Sequence, residues 1–305
     1  MISNVQGAIY MVIAMVGVTG NDAAVKLVMQ NLDMGMIILI RGIMATTILA
    51  VLAWHHRTLG SLRLTLHPLV AIRVVCEFLA TITFLTALRN LPLANLSAIF
   101  QSLPIMVTVA GALLLGIAVS PRGWLVILIG FAGVLIIVRP GLEGFNQYSV
   151  YALASVLCCV GRDLVTRQLP ANIPSWPVSL VTAFSVTVAG AMLVPFSPNT
   201  AIIQLSDLAT LLAAATMMSI GYHMTVMAMR VTNISFVAPF RYTQLVFATT
   251  MGYLVFNELP DLPTILGGLL VILAGLYSFY REAQTENRSP ALANLPPKQE
   301  IDPAG

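Results

Sequence analysis

Apolar runs of about 20 residues recur along the whole chain, each the length that carries a helix across a hydrocarbon core roughly 30 Å thick. They fall at 5–27, 34–54, 67–88, 91–117, 122–139, 148–168, 177–196, 206–229, 233–256 and 262–281. A backbone in lipid must satisfy its own hydrogen bonds, so only helices and closed barrels can span. Barrel strands alternate apolar and polar residues, whereas these runs are continuous, which selects helices. Composition agrees: 9% of the residues are charged, against about 25% for a soluble domain, too few to coat a water-facing exterior. The expected fold is an all-α integral membrane protein with ten transmembrane helices. Connections such as "NLPLAN", "SPRGW", "RPGLEGF" and "NELPDLP" are short and rich in turn formers, leaving no room for a soluble domain.

Basic residues set the expected orientation. With both termini cytoplasmic, the inside holds Arg57, Arg63, Arg122, Arg167, Arg230, Arg281, Arg288 and Lys298, and the outside only Lys26, Arg89 and Arg139. The segment 283–305 is polar and proline-rich and is expected to be a disordered cytoplasmic tail. Cys76, Cys158 and Cys159 lie in apolar runs and read as small buried residues rather than a staple. Trp54, His55 and His56 mark a membrane interface, and two adjacent histidines without further ligands make no metal site. The scattered basic residues form no nucleic-acid footprint, and no cofactor is expected.

The chain also repeats itself. A shift of 141 residues lays "GNDAAVK" (Gly20 to Lys26) on "GRDLVTR" (Gly161 to Arg167), aligning Asp22 with Asp163 and Lys26 with Arg167. The same shift lays "ALR" (Ala87 to Arg89) on "AMR" (Ala228 to Arg230) and Gly111 on Gly252. Each copy then holds five spans, one at 5–139 and one at 148–281. An odd number of spans makes the second copy enter the membrane from the opposite side. Two such inverted repeats can rock about a shared central site, an architecture found in secondary transporters.

The stretches "NLPLANLSAIFQSLPIMVTVAGALLLG" and "NISFVAPFRYTQLVFATTMGYLVFNELPDLPTILGGLLVILAG" resemble the same part of two EamA domains. The chain up to about Glu282 is similar to the ten-span EamA-type transporters of the drug/metabolite transporter superfamily. The "ND…K" of the first span and the "APFRY…FNELPD" block look most like a subgroup with RibN-type riboflavin transporters and S-adenosylmethionine uptake transporters. The resemblance implies a central substrate cavity between two inverted five-helix halves, in a bacterial inner membrane. EamA domains often end their fourth helix in a Gly-Glu pair. Here the second copy has Asn257-Glu258 and the first has Gly116-Ile117, so one half alone keeps the acid.

Charges inside spans need a reason, since each costs roughly 2.5–3.5 kcal/mol at the centre of a helix on insertion scales. Arg241 lies about eight residues into the ninth span, roughly 12 Å deep at 1.5 Å per residue. Tyr242 and Gln244 stand beside it, and Pro239 frees a carbonyl and opens the helix locally. Arg241, Tyr242 and Gln244 are therefore expected to bind substrate; the bland reading is an ion pair of Arg241 with Glu77 or Asp163. Gln101 occupies the repeat position of Tyr242 and joins the expected binding set, as do Tyr222 and His223. Arg73 and Glu77 are four apart and share a helix face, either neutralising each other or, at Glu77, carrying a coupling proton. Arg41, in the second span, pairs with Asp22 or Asp33 or lines the pathway. Asp22, Lys26, Asp163 and Arg167 read as structural or gating groups at the two mouths.

These readings favour a secondary-active transporter of a small metabolite, with riboflavin uptake first, because its flat ring could stack on Tyr242 or Tyr222. S-adenosylmethionine uptake, or export of amino acids, metabolites or drugs, is the alternative. The chain carries no H-E-x-x-H, G-x-S-x-G or Walker lysine motif, so an enzyme is not expected. Nothing resembles a filter ring of a channel. A homodimer is possible, but a monomer suffices for the mechanism.

Overall fold

The computed structural model describes residues 2–55, 64–116, 119–140, 146–170, 173, 175–196, 203–231 and 238–293. The first half contains α1 (Ile2–Val28), α2 (Met34–His55), α3 (Pro68–Asn90), α4 (Leu93–Phe100), α5 (Leu103–Leu115) and α6 (Pro121–Val138). The second contains α7 (Tyr148–Arg167), α8 (Ser175–Leu193), α9 (Leu205–Val231), α10 (Thr243–Phe256) and α11 (Leu262–Ala293). α4 and α5 together form the fourth span, and the 3₁₀ turn Ala238–Tyr242 with α10 forms the ninth. The ten spans thus fall where the apolar runs placed them. α11 continues to Ala293, into the segment read as tail, and 294–305 lie outside the described residues.

Both interrupted spans break at equivalent places. α4 stops at Phe100 and α5 starts at Leu103, with Pro104 in its first turn. Proline has no N–H to give the Phe100 carbonyl four residues back and clashes with it, so the helix restarts there. Residues 101 and 102 are the hinge, and a shift of 141 lands on Tyr242 and Thr243, where the 3₁₀ turn passes into α10. The far ends match as well. Gly116 caps α5 at φ 66° and Asn257 caps α10 at φ 54°, equivalent positions holding the two residue types that best tolerate the left-handed region.

Packing obeys the same exchange. α1 packs chiefly on α9 and α3 on α7, and swapping the halves turns the first pair into the second. α2 with α8 and α6 with α11 are pairs that swap onto themselves. On that axis Thr46 Oγ1 and Thr187 Oγ1, equivalent residues 141 apart, hydrogen-bond to each other at 3.1 Å. This is the geometry of an inverted five-helix repeat. Glycines set how closely helices cross where lipid gives no hydrophobic drive. A Cβ on Gly133 would sit 2.7 Å from the Gly267 carbonyl oxygen, and one on Gly267 2.5 Å from that of Gly133. At the α1–α9 crossing a Cβ on Gly17 would lie 2.6 Å from the Met217 carbonyl oxygen.

The tightest core lies toward the end of the bundle away from the termini. Val25 and Val28 of α1, Leu85 and Leu88 of α3, and Leu91, Leu96 and Ile99 around α4 are all at most 2% exposed and belong to one cluster.

Candidate functional site

A central cavity of about 320 Å³ lies between the halves. It is lined from α1, α2, α3, the α4–α5 break, α7, α9 and the start of the ninth span. Its position follows from the duplication. Six equivalent pairs face it from both halves: Val18 and Cys159, Asn21 and Arg162, Glu77 and Met218, Phe100 and Arg241, Gln101 and Tyr242, Leu103 and Gln244. At these six positions the two copies point inward alike. The side chains have diverged, so a symmetric frame holds an asymmetric lining.

Of the residues expected to bind substrate, Arg241, Tyr242, Gln244 and Gln101 all line this cavity. The side chains of Tyr222 and His223 lie outside the described residues. Arg241 is exposed, and among the described residues no carboxylate lies within ion-pair distance of it. Asp163 is its electrostatic neighbour, while both Glu77 and Asp163 are hydrogen-bonded by Arg162. Arg162 Nη1 donates to Glu77 Oε2 at 3.2 Å and its Nε to Asp163 Oδ1 at 2.9 Å.

Bonds between helices stand beside the intrahelical readings. Glu77 reaches across to α7, while Arg73 donates to Thr166 Oγ1, so each makes a bond between helices. Spacing shows which residues share a face, and neighbouring helices decide whom they meet. Asp22 faces the cavity, receives Asn21 Nδ2 at 2.9 Å, and has Arg41 as an electrostatic neighbour. Arg41 also feels Glu77, and it too lines the cavity. Lys26, four residues on from Asp22, turns away from it and binds Glu258 instead, at 2.7 Å. Arg167's side chain lies outside the described residues, as do residues 56–63 with His56; Trp54 is exposed.

Several lining groups were not singled out by sequence. Phe84 and Phe100 meet edge to face, with centroids 5.2 Å apart at 82°, and give the cavity an aromatic wall. Arg162 and Asn21 supply polar groups that the 141-residue shift links to each other. Had the shift been applied to every polar intramembrane residue, it would have flagged both. Cys159, read as plain core, is buried but borders the cavity, while Cys76 and Cys158 are half-buried.

The residues around the cavity carry polar atoms that no protein group satisfies. Among the described residues, Thr19 Oγ1, Asn21 Oδ1, Ser97 Oγ and Gln101 Nε2 are buried without a hydrogen-bond partner, and all four residues line it; the Tyr242 hydroxyl, likewise unpartnered, packs against Gly275 of α11. Their residues are between 1% and 6% exposed. Unmet buried donors and acceptors cost about 1–3 kcal/mol each, so the wall of the cavity carries polar groups that the closed packing leaves unpaired. Leu85, Leu93, Leu96 and Ala248, none more than 2% exposed, form an apolar floor toward the end away from the termini. Among the described residues no cluster of His, Cys, Asp and Glu could hold a metal ion.

A model of the EamA-like transporter family matches residues 5–139 and 147–280. A pseudopaline exporter of Pseudomonas aeruginosa is 28% identical over 212 residues, covering 68% of this chain and 73% of that one. An S-adenosylmethionine uptake transporter of Rickettsia felis is 22% identical over 281 residues, covering 92% and 94%. A riboflavin transporter of Rhizobium johnstonii is 26% identical over 226 residues, covering 72% of each chain. One crystal structure superposes with a TM-score of 0.60 at 13% identity, over 90% of this chain and 95% of that one, a likeness of fold.

Proposed function

We propose that this chain, which belongs to the EamA-like transporter family, carries a small amphoteric metabolite bearing a carboxylate and a flat or apolar part, by alternating access through the central cavity. The observation that carries this reading is Arg241, a guanidinium that lines the cavity with no carboxylate at ion-pair distance among the described residues. Guanidinium geometry matches a carboxylate with two parallel hydrogen bonds. On the same lining Asp22 supplies negative charge for a cationic group, and Gln101 and Asn21 supply neutral hydrogen bonds. Phe84 and Phe100 accept the apolar portion. The relatives are named for solutes of different chemistry, and two directions of transport appear among their names. Alternating access is reversible, so the direction here follows the gradients. The membrane is a bacterial inner membrane, with both termini cytoplasmic as the lysine and arginine bias indicates.

Riboflavin uptake is the second reading. The aromatic wall and Tyr242 favour it, whereas the charges in the cavity favour an amphoteric guest.

The test is uptake and counterflow in proteoliposomes with labelled S-adenosylmethionine, riboflavin and a panel of amino acids, beside rescue of a riboflavin auxotroph lacking a flavin importer. Saturable counterflow confined to carboxylate-bearing amphoteric solutes supports the proposal. Rescue at low riboflavin, with no uptake of amphoteric solutes, replaces it with the second reading.

A further inference from the structure

One end of the bundle is fastened by a contact that the other end lacks the sequence to copy. Lys26, in the last turn of α1, is 8% exposed. Its ammonium meets both carboxylate oxygens of Glu258, at 2.7 and 2.8 Å, and donates to the Leu91 carbonyl at 2.7 Å. It also lies 4.9 Å from the centre of the Phe256 ring. Glu258 in turn accepts the Leu93 backbone N–H at 3.1 Å. That N–H opens α4, whose cap residue is Pro92 and offers no side-chain acceptor, so Glu258 caps the helix from across the bundle. One ion pair thus joins the end of α1, the α3–α4 turn and the α10–α11 turn, directly beyond the cavity's apolar floor.

A pair withdrawn from water stabilises best where extra hydrogen bonds satisfy both partners, and here the buried Lys26 and half-buried Glu258 each have them. The left-handed Asn257 turns the chain so that Glu258 faces inward, its N–H bonded to the Gly252 carbonyl at 2.9 Å. The repeat breaks at this point. Lys26 maps to Arg167, another cation, but Glu258 maps back to Ile117, which has no carboxylate.

We propose that Lys26 and Glu258 form a one-sided ionic latch holding the cavity shut toward the end away from the termini. Opening that end parts the pair, strips Leu91 of its donor and uncaps α4; opening the other end breaks no equivalent pair with residue 117. The device rests on the transport reading, since it acts on that cavity.

The experiment measures access and needs no substrate. Cys76, Cys158 and Cys159 are replaced by alanine, and Ser97→Cys, a near-isosteric change on the cavity wall, becomes the reporter. A membrane-impermeant thiol reagent is applied to the latch side of oriented membranes, and a permeant one reports total reactivity and folding. Glu258→Gln and Lys26→Met are each expected to speed latch-side labelling by at least about tenfold, equivalent to about 1.4 kcal/mol less hold on the closed form. Asp261→Asn, which removes the neighbouring Arg139 pair at the same end, is expected to leave the rate unchanged. Labelling rates within about twofold of the parent for both latch variants overturn the proposal. So does equal acceleration by Asp261→Asn, and so does failure of both latch variants to insert, which would make the pair part of the fold itself. Faster labelling without uptake of any solute keeps the latch and overturns the transport reading; uptake with unchanged labelling does the reverse.

Discussion

Removing the guanidinium of Arg241 while keeping a polar side chain of similar reach, as in Arg241→Gln, tests the binding reading most directly. A hydrogen bond to a charged group is worth about 1.5–3 kcal/mol net. Arg241 is exposed, so its field is partly screened, and the lower end applies. Coulomb's law sets the same scale: a pair at 4 Å gains about 4 kcal/mol at an effective dielectric of 20 and about 1 kcal/mol in water. The expected loss is about 1.5 kcal/mol, roughly tenfold in affinity. The solute identified by uptake is titrated on the purified protein as its free acid and as its primary amide. Wild type should favour the acid by about that factor, and the variant should bind both forms alike. Arg241→Lys should recover part of the preference, since it keeps the charge and loses the fork. Equal losses for acid and amide would show that Arg241 only shapes the cavity. An unchanged acid preference would place the carboxylate elsewhere, at Arg41 or Arg162, and refute the assignment.

Further outcomes can be checked on stability. Glu77→Gln or Arg162→Gln alone should cost about 1–3 kcal/mol by thermal unfolding in detergent, because the first leaves Arg162 with Asp163 alone and the second leaves the Glu77 carboxylate without its cation. The double variant should cost less than the sum, and strict additivity would mean the pair is not coupled. Gly267→Leu should lower stability by about 1–3 kcal/mol through the collision with Gly133, while an exposed Leu269→Ala at the lipid face should change little. Asn257→Gly should be tolerated and Asn257→Val should cost about 1–2 kcal/mol, since only the latter resists the left-handed turn. Partial burial pushes the Asp261 carboxyl up, but hydrogen bonds from Thr264 and Arg139 outweigh it and hold it below the ordinary carboxylate range. Its contribution is therefore present above that range and lost as pH falls below it, and Asp261→Asn should flatten this acid-side slope in thermal melts.

Much of the architecture was legible because lipid imposes it. Helix positions follow from apolar length, and the inverted repeat follows from the alignment of Asp22 with Asp163 and Lys26 with Arg167. That Arg241, Tyr242, Gln244 and Gln101 border one cavity was legible too, because a polar residue deep in a span needs a wet neighbour. Partnerships were not. Lys26 with Glu258 and Glu77 with Arg162 join residues far apart in sequence, and helical spacing speaks only about neighbours on one helix. Phe84 and Phe100 were invisible for a different reason: an aromatic residue in an apolar run looks the same facing lipid, core or cavity.

The bond between Thr46 and Thr187 carries a consequence about ancestry. A side chain can meet its own equivalent only on a two-fold axis, where the surface is complementary to itself. Two separate five-helix chains, inserted in opposite orientations, would form that contact as a dimer. Any substitution in such a dimer appears on both faces at once, so a guanidinium in the cavity comes with a second one opposite. Fusion into one chain removes that constraint. It lets Phe100 stand where its twin is Arg241, and Ile117 where its twin is Glu258. Covalent linkage is thus what allows a symmetric scaffold to carry an asymmetric lining.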